Sequence, residues 1–194
     1  MNTEDKEIDT RVRLDKFDPN LGLDRGRPKV FEIIWYLTKM VFFLSAFPWP
    51  QKIKRPILKC FGAEIGKGVV IKPRVNIHFP WKLYIGDYAW IGEECFILNF
   101  EPISIGAQAC ISQRTFLCGG NHNFRSPNFE YKNGPITILP GAWVGAQSFV
   151  GPNVEIGTDA VVAAGSIVTK SLPPNSICSG NPCVEISKRW KDQT

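Results

Sequence analysis

The sequence predicts an all-β chain: a parallel β-helix of about five triangular coils, preceded by an apolar helical segment and interrupted by one long excursion near residues 119–135. Aliphatic residues recur every sixth position, as in Ile85, Ile91 and Ile97, or Ile138, Val144, Val150, Ile156, Val162 and Val168. The fifth position of these hexads is small or β-branched (Val69, Ala89, Cys95, Ala109, Thr115, Ala142, Ser148, Ala160, Ser166). A period of six suits neither a helix nor an alternating strand, but it suits a prism in which each hexad supplies one flat side and one corner. The aliphatic residue then points inward, the small residue packs under the bend, and a glycine after the aliphatic residue eases the corner backbone. Fifteen such hexads between Ile65 and Val168, three to a turn, make five turns of stacked parallel strands.

The elements follow in order. Residues 1–28 are polar, charged and rich in Gly and Pro, and read as an extended arm. Residues 29–60 form an apolar helical cap segment, with one helix running from Lys29 to Phe47 and stopped by Pro48 and Pro50. It is too short and too charged to span a bilayer. Two readings stay open for it: a cap on the open first coil or on a partner subunit, or an interfacial helix making peripheral membrane contact through 29–59. The second draws on Trp35, Trp49 and the basic run Lys52, Lys54, Arg55, Lys59. The repeat occupies 61–172, and 173–194 form a C-terminal tail or short helix. Breaks in the period fall after Ile77, Ile97 and Leu117, each a third hexad, so all emerge at one corner. Asn99 and the segment 119–135 are therefore stacked neighbours.

A net charge of +5 suits an anionic ligand or membrane surface and is too weak to argue for nucleic acid. Six cysteines without C-x-x-C spacing, after an N-terminus lacking an apolar leader, point to reduced thiols in the cytosol.

Of the two histidines, His122 stands where the third coil enters its excursion, beside Gly119 and Gly120. That setting suits proton abstraction from a hydroxyl, with a plain surface histidine as the alternative. His78, two coil steps away, is too far to share a metal ion with it and reads as structural, so no metal site is expected. Asn99 could contact a hydroxylated acceptor or simply hold a turn. Cys118 reads as a packed thiol. Beyond Ile138 a face with Trp143, Ala146, Ala164, Thr169 and Lys170 offers a shallow groove for an extended ligand, whose phosphates would meet Lys170, Lys188 or Arg189.

Residues 30–190 resemble the hexapeptide-repeat acetyltransferases of the colanic-acid biosynthesis type, relatives of galactoside and maltose acetyltransferases. The resemblance rests on Phe47-Pro48-Trp49-Pro50, residues 68–77, Phe79-Pro80-Trp81, Cys110-Ile111-Ser112-Gln113, residues 117–122, Ala142-Trp143-Val144-Gly145-Ala146, residues 165–170 and Gly180-Asn181-Pro182. It implies a left-handed β-helix, a homotrimer with sites between subunits, acetyl-CoA as donor and a carbohydrate hydroxyl as acceptor. His122 takes the catalytic-base position and Asn99 an acceptor position, with Asn123 beside the base as a further acceptor candidate. Trp143 borders the thioester, and Ala146, Ala164 and Thr169 contact the coenzyme. The chain departs from the type at Asn121-His122-Asn123, where Ser-His-Asp is usual. Basic positions near the coenzyme phosphate fall on Val184 and Ser187, leaving Lys188 or Arg189 as substitutes. The expected function is O-acetylation in surface-glycan synthesis, in the cytoplasm or at the inner face of the membrane. N-acetylation of an amino sugar and a non-catalytic scaffold are the alternatives.

Overall fold

The computed structural model describes residues 11–190; the ends of the expected arm and tail, 1–10 and 191–194, lie outside the described residues. The hexads fold as short strands, three per turn. Coil 1 holds β1 (Glu64–Ile65), β2 (Val70–Ile71) and β3 (Asn76–Ile77), and coil 2 holds β4 (Leu83–Ile85), β5 (Trp90–Ile91) and β6 (Phe96–Leu98). Coil 3 holds β7 (Ile103–Ile105), β8 (Cys110–Ile111) and β9 (Phe116–Cys118). Coil 4 has β10 (Ile136–Ile138), β11 (Trp143–Val144) and β12 (Phe149–Val150), and coil 5 has β13 (Val154–Ile156), β14 (Val161–Val162) and β15 (Ile167–Val168). Each strand pairs in parallel with its equivalent one coil away. Side one is therefore β1-β4-β7-β10-β13 and side three is β3-β6-β9-β12-β15. Side two runs from β2 through β14 to β16 (Ser176–Ser179) and β17 (Val184–Lys188). Leu172 bridges Ile156, so five complete coils are followed by part of a sixth.

The hexad period is realised residue by residue. Ile71, Ile77, Ile85, Ile91, Ile97, Ile105, Ile111, Leu117, Val144, Val150, Ile156 and Val168 are wholly buried, each worth about 2 kcal/mol of transfer free energy. The fifth-position residues lie beneath the corners, and their hydroxyls are satisfied locally: Thr115 donates to the Gly145 carbonyl and Ser166 to that of Ala163.

The second-position glycines have a different cause from the one expected. They do not adopt left-handed φ; a Cβ on Gly86 would sit 2.5 Å from the Ala107 nitrogen, against backbone of the next coil. Stacking distance, not corner flexibility, demands glycine there. The left-handed residue falls two positions later and is mostly not glycine, as at Tyr88, Glu94, Gln108, Arg114 and Gln147.

The two ends are closed by different devices. The expected helix to Phe47 ends earlier, as α1 (Lys29–Phe42), and a second helix, α2 (Gln51–Cys60), follows beyond the prolines. The amides of Phe43 and Leu44 both turn back onto the Lys39 carbonyl, ending α1 early, and Pro50 starts α2. Coil 1 has no neighbour below to receive its carbonyls. Trp35 Nε1 donates to Ile77 O (3.1 Å), Gln51 Nε2 to Ile71 O (2.9 Å) and Lys54 Nζ to Lys72 O (3.0 Å). Helices rather than a further coil thus satisfy the open edge. Lys54 is fully buried, and desolvation, with the Lys72 charge second, pushes its ammonium down to about 8. At the other end the segment expected as a tail or short helix holds a strand: β17 pairs antiparallel with β16 and covers the sheet edge.

His78 packs against Phe79 and Phe100 beside coil 1. Desolvation, then the charges of Lys39 and Arg25, push its imidazole down to about 4. Between pH 6.5 and 4 the unfolded chain binds a proton that the folded chain refuses, so stability falls as pH falls through that window. The loss reaches at most about 3 kcal/mol. In thermal melts from pH 7 to pH 4, His78→Gln should show a flatter decline than wild type, and parallel curves would refute this assignment.

Candidate functional site

All three breaks in the repeat leave side three, so the excursions share one corner, between sides three and one. The long excursion is a ribbon. Lys132 N donates to Asn121 O and Asn123 N to Glu130 O, which sets His122 opposite Tyr131. Packing demands Gly119 and Gly120: a Cβ on either would press on Leu98, its carbonyl oxygen at 3.0 Å and its side chain at 3.1 Å respectively.

The imidazole is held on several sides. Phe129 stacks on it with centroids 4.3 Å apart and planes within 4°, Tyr131 lies at 4.7 Å, and Phe17 of the arm meets it edge-on at 5.4 Å. His122 Nδ1 lies 2.7 Å from the Phe129 carbonyl oxygen. A carbonyl only accepts, so Nδ1 carries a proton, and in the neutral ring the lone pair is on Nε2. Phe129 itself has φ of 50°, outside the regular corners, an unfavourable backbone for an aromatic residue. That strained residue supplies both the stacking ring and the carbonyl that sets the tautomer. No sequence signal marks it.

The Asn-His-Asn departure has a local reason. Asn123 Nδ2 donates to Glu130 Oε1 at 2.8 Å, and hydrogen bonds from Ser126 and Asn123 hold the Glu130 carboxyl below its usual range. An aspartate at 123 would face that carboxylate across the ribbon. The imidazole is oriented by backbone instead, so Asn123 is engaged inside the loop.

Asn99, expected as an acceptor contact or a turn residue, holds the corner as an internal clamp. It is wholly buried; its Oδ1 accepts from Phe79 N (2.8 Å) and its Nδ2 donates to Phe79 O. It lies one coil below the excursion, as the stacking argument expects. Cys118 donates to Gly120 O, and burial pushes its thiol up, as suits a packed residue.

The groove residues lie elsewhere on the prism. Trp143 stands half exposed on side two, its Nε1 donating to Ser112 Oγ at 2.9 Å. Ala146 and Ala164 stack at the corner between sides two and three, where Gly165 N meets Ala146 O at 2.8 Å. A cavity of about 350 Å³ opens at that corner beside Ala146 and Gln113. Thr169 and Lys170 are exposed at the histidine's corner, two coils above its excursion. Lys188 is not beside Ala164: it pairs with Glu185 at 2.6 Å and lies across from Ser176, at the far edge of side two. Arg189 is spent on the carbonyls of Gly141 and Asp159. Lys170 has no ion pair among the described residues.

The arm was not expected at the site. Residues 11–28 follow the excursion corner: Arg13 N donates to Pro127 O, Gly22 packs on the Tyr131 carbonyl, and Trp81 Nε1 donates to Arg25 O. Sequence patterning gives no hint of this, because the contacts span from 56 to more than a hundred positions.

A prism of hexads bearing one oriented histidine and a groove of small residues defines a hexapeptide-repeat transferase. Residues 135–170 match the family model for bacterial transferase hexapeptide (six repeats). The chain is 41% identical over 179 residues to the putative colanic acid biosynthesis acetyltransferase WcaF of Escherichia coli K12, covering 91% of this chain and 96% of that one. It is 29% identical to the galactoside O-acetyltransferase of the same organism, over 75% and 73% of the two chains. A hexapeptide-repeat acetyltransferase of Vibrio cholerae, solved with acetyl coenzyme A, superposes with a TM-score of 0.75 at 22% identity, over 84% of this chain and 89% of that one. The chain belongs to the hexapeptide-repeat acetyltransferases, among those of the colanic-acid biosynthesis type.

Proposed function

We propose that the protein transfers acetyl from acetyl-CoA to a carbohydrate hydroxyl in surface-glycan synthesis, with His122 as general base. The observation that carries this reading is the bond from Nδ1–H to the Phe129 carbonyl, which leaves Nε2 free to accept a proton. As the hydroxyl oxygen attacks the thioester carbonyl, its proton passes to Nε2. The tetrahedral intermediate then collapses, the C–S bond breaks, and the imidazolium returns the proton to the departing sulfur. Trp143 borders the thioester and Ala146 and Ala164 line the coenzyme from one copy, while Thr169 and Lys170, at the histidine's corner of the neighbouring copy, meet the coenzyme and its phosphates from the other side. A cytoplasmic setting, where acetyl-CoA is made, goes with this donor.

Within one chain, His122 and the Ala146–Ala164 groove are separated by the width of side three, about 15 Å at strand spacing. The donor groove beside His122 therefore comes from a neighbouring copy, and a homotrimer would build three such sites.

Calorimetric titration with acetyl-CoA is the direct test. Saturable binding near one site per subunit, followed by acetyl ester formation on a glycan acceptor, is the expected result. No binding at millimolar ligand would overturn the reading, and amide formation on an amino sugar in place of an ester would redirect it.

Phe17 bears on the same site. With its ring removed, the edge support of His122 is lost, so Phe17→Ala should lower kcat by roughly three- to tenfold while coenzyme affinity holds. Phe17→Leu should recover part of the loss. An unchanged kcat would show that the arm only covers the loop.

A further inference from the structure

Because α1 and α2 receive the free carbonyls of coil 1, their outer faces form the end of the prism. On α1 the residues Val30, Ile33, Ile34, Leu37, Met40 and Val41 recur three and four apart, opposite buried Trp35 and Lys39, and are 49–68% exposed. Such a stripe is normally turned inward. The charge around it is one-sided. Glu32 is the single acid of residues 29–60, and it is paired with Arg25 at 2.7 Å. Lys29, Lys52, Arg55 and Lys59 have no carboxylate partner among the described residues. Beside α2, a cleft of about 220 Å³ is lined by Lys52, Arg55 and Lys59 together with Lys67 of coil 1. Lys67 Nζ is 3.8 Å from Asp87.

We propose that this end of the prism docks on an anionic lipid bilayer. α1 lies in the interfacial plane with its apolar stripe among the acyl chains, and lipid phosphates enter the cationic cleft. At 14 residues α1 is about 21 Å long, and no helix of the described residues is long and apolar enough to cross a membrane, so the contact is peripheral. A second copy of the same face fits poorly, because self-pairing would set cations against cations. The charge complement of the face is a sheet of phosphates. This inference goes beyond acetyl transfer and stands or falls without it.

The test is co-sedimentation of the full chain with vesicles of phosphatidylcholine alone and vesicles mixed about two to one with phosphatidylglycerol. Wild type should bind the anionic vesicles at least roughly tenfold better, and salt should release it. Leu37→Glu with Val41→Glu should abolish binding, and Lys52→Glu with Lys59→Glu should weaken it at least roughly tenfold, with melting and light-scattering mass unchanged. Wild-type protein left in solution with both vesicle types overturns the proposal. So does a smaller oligomer for the Leu37/Val41 variant, which would make the face an interface between copies. Should that variant fail to fold, the wild-type comparison and the lysine variant still decide.

Discussion

His122→Ala should lower kcat by about 10²- to 10⁴-fold while leaving acetyl-CoA affinity within about twofold, since the role proposed for the imidazole is proton transfer and not coenzyme binding. The size follows from how completely the ring is prepared. The Phe129 carbonyl fixes the proton on Nδ1, and Phe129, Tyr131 and Phe17 restrict the ring's tilt, so Nε2 needs no reorganisation to act. His122→Gln is a useful companion, because it keeps a polar atom in the loop without a basic lone pair. Rate assays with saturating acceptor and calorimetry on each variant separate the two effects. Turnover near wild type in either variant would remove His122 from the chemistry.

Gly86→Ala should destabilise the fold by about 2–4 kcal/mol. The added Cβ would lie 2.5 Å from Ala107 N, 2.9 Å from the Gly106 carbonyl carbon and 3.0 Å from Ala107 Cα. All three are backbone atoms, and none can turn aside as a side chain can. Relief requires prising coil 2 from coil 3, which lengthens the ladder bond from Gly86 N to Ile105 O, now 2.7 Å. Gly165→Asn is the control. Gly165 has φ of +73°, yet nothing lies within 4 Å of its would-be Cβ, and Gln147 holds the same conformation at the equivalent corner one coil below. Asparagine tolerates that region, so the change should be neutral within about 0.5 kcal/mol. Thermal melts at one fixed protein concentration compare them. Equal losses would mean that conformation, not close approach, explains the second-position glycines.

The contrast between those two glycines shows what kind of information the sequence holds. A hexad is a local pattern, so its period, the buried aliphatic and small positions, and the corner from which the breaks emerge follow from the order of residues. The same is true of His122: its position after a third hexad and before a resumption at Ile138 identifies it as the histidine of the excursion. The family motifs added the expectation of a coenzyme, an acceptor class and an assembly that no periodicity states.

What tertiary structure decided concerns atoms brought together from distant positions. Asn99 was legible as a corner residue, but only the fold shows its amide closed on the backbone of Phe79. The orienting partner of His122 is a backbone carbonyl, and carbonyls have no residue type to read. Lys188 and Arg189 sit near the groove residues in order but at the other edge of side two, because β17 reverses direction on β16. That side chains of both helices meet the carbonyls of coil 1 is likewise visible only in the fold. Local periodicity thus determined the prism and its histidine. The direction in which each polar atom points, and hence which residues are free for chemistry, was settled only by the stacking of one coil on the next.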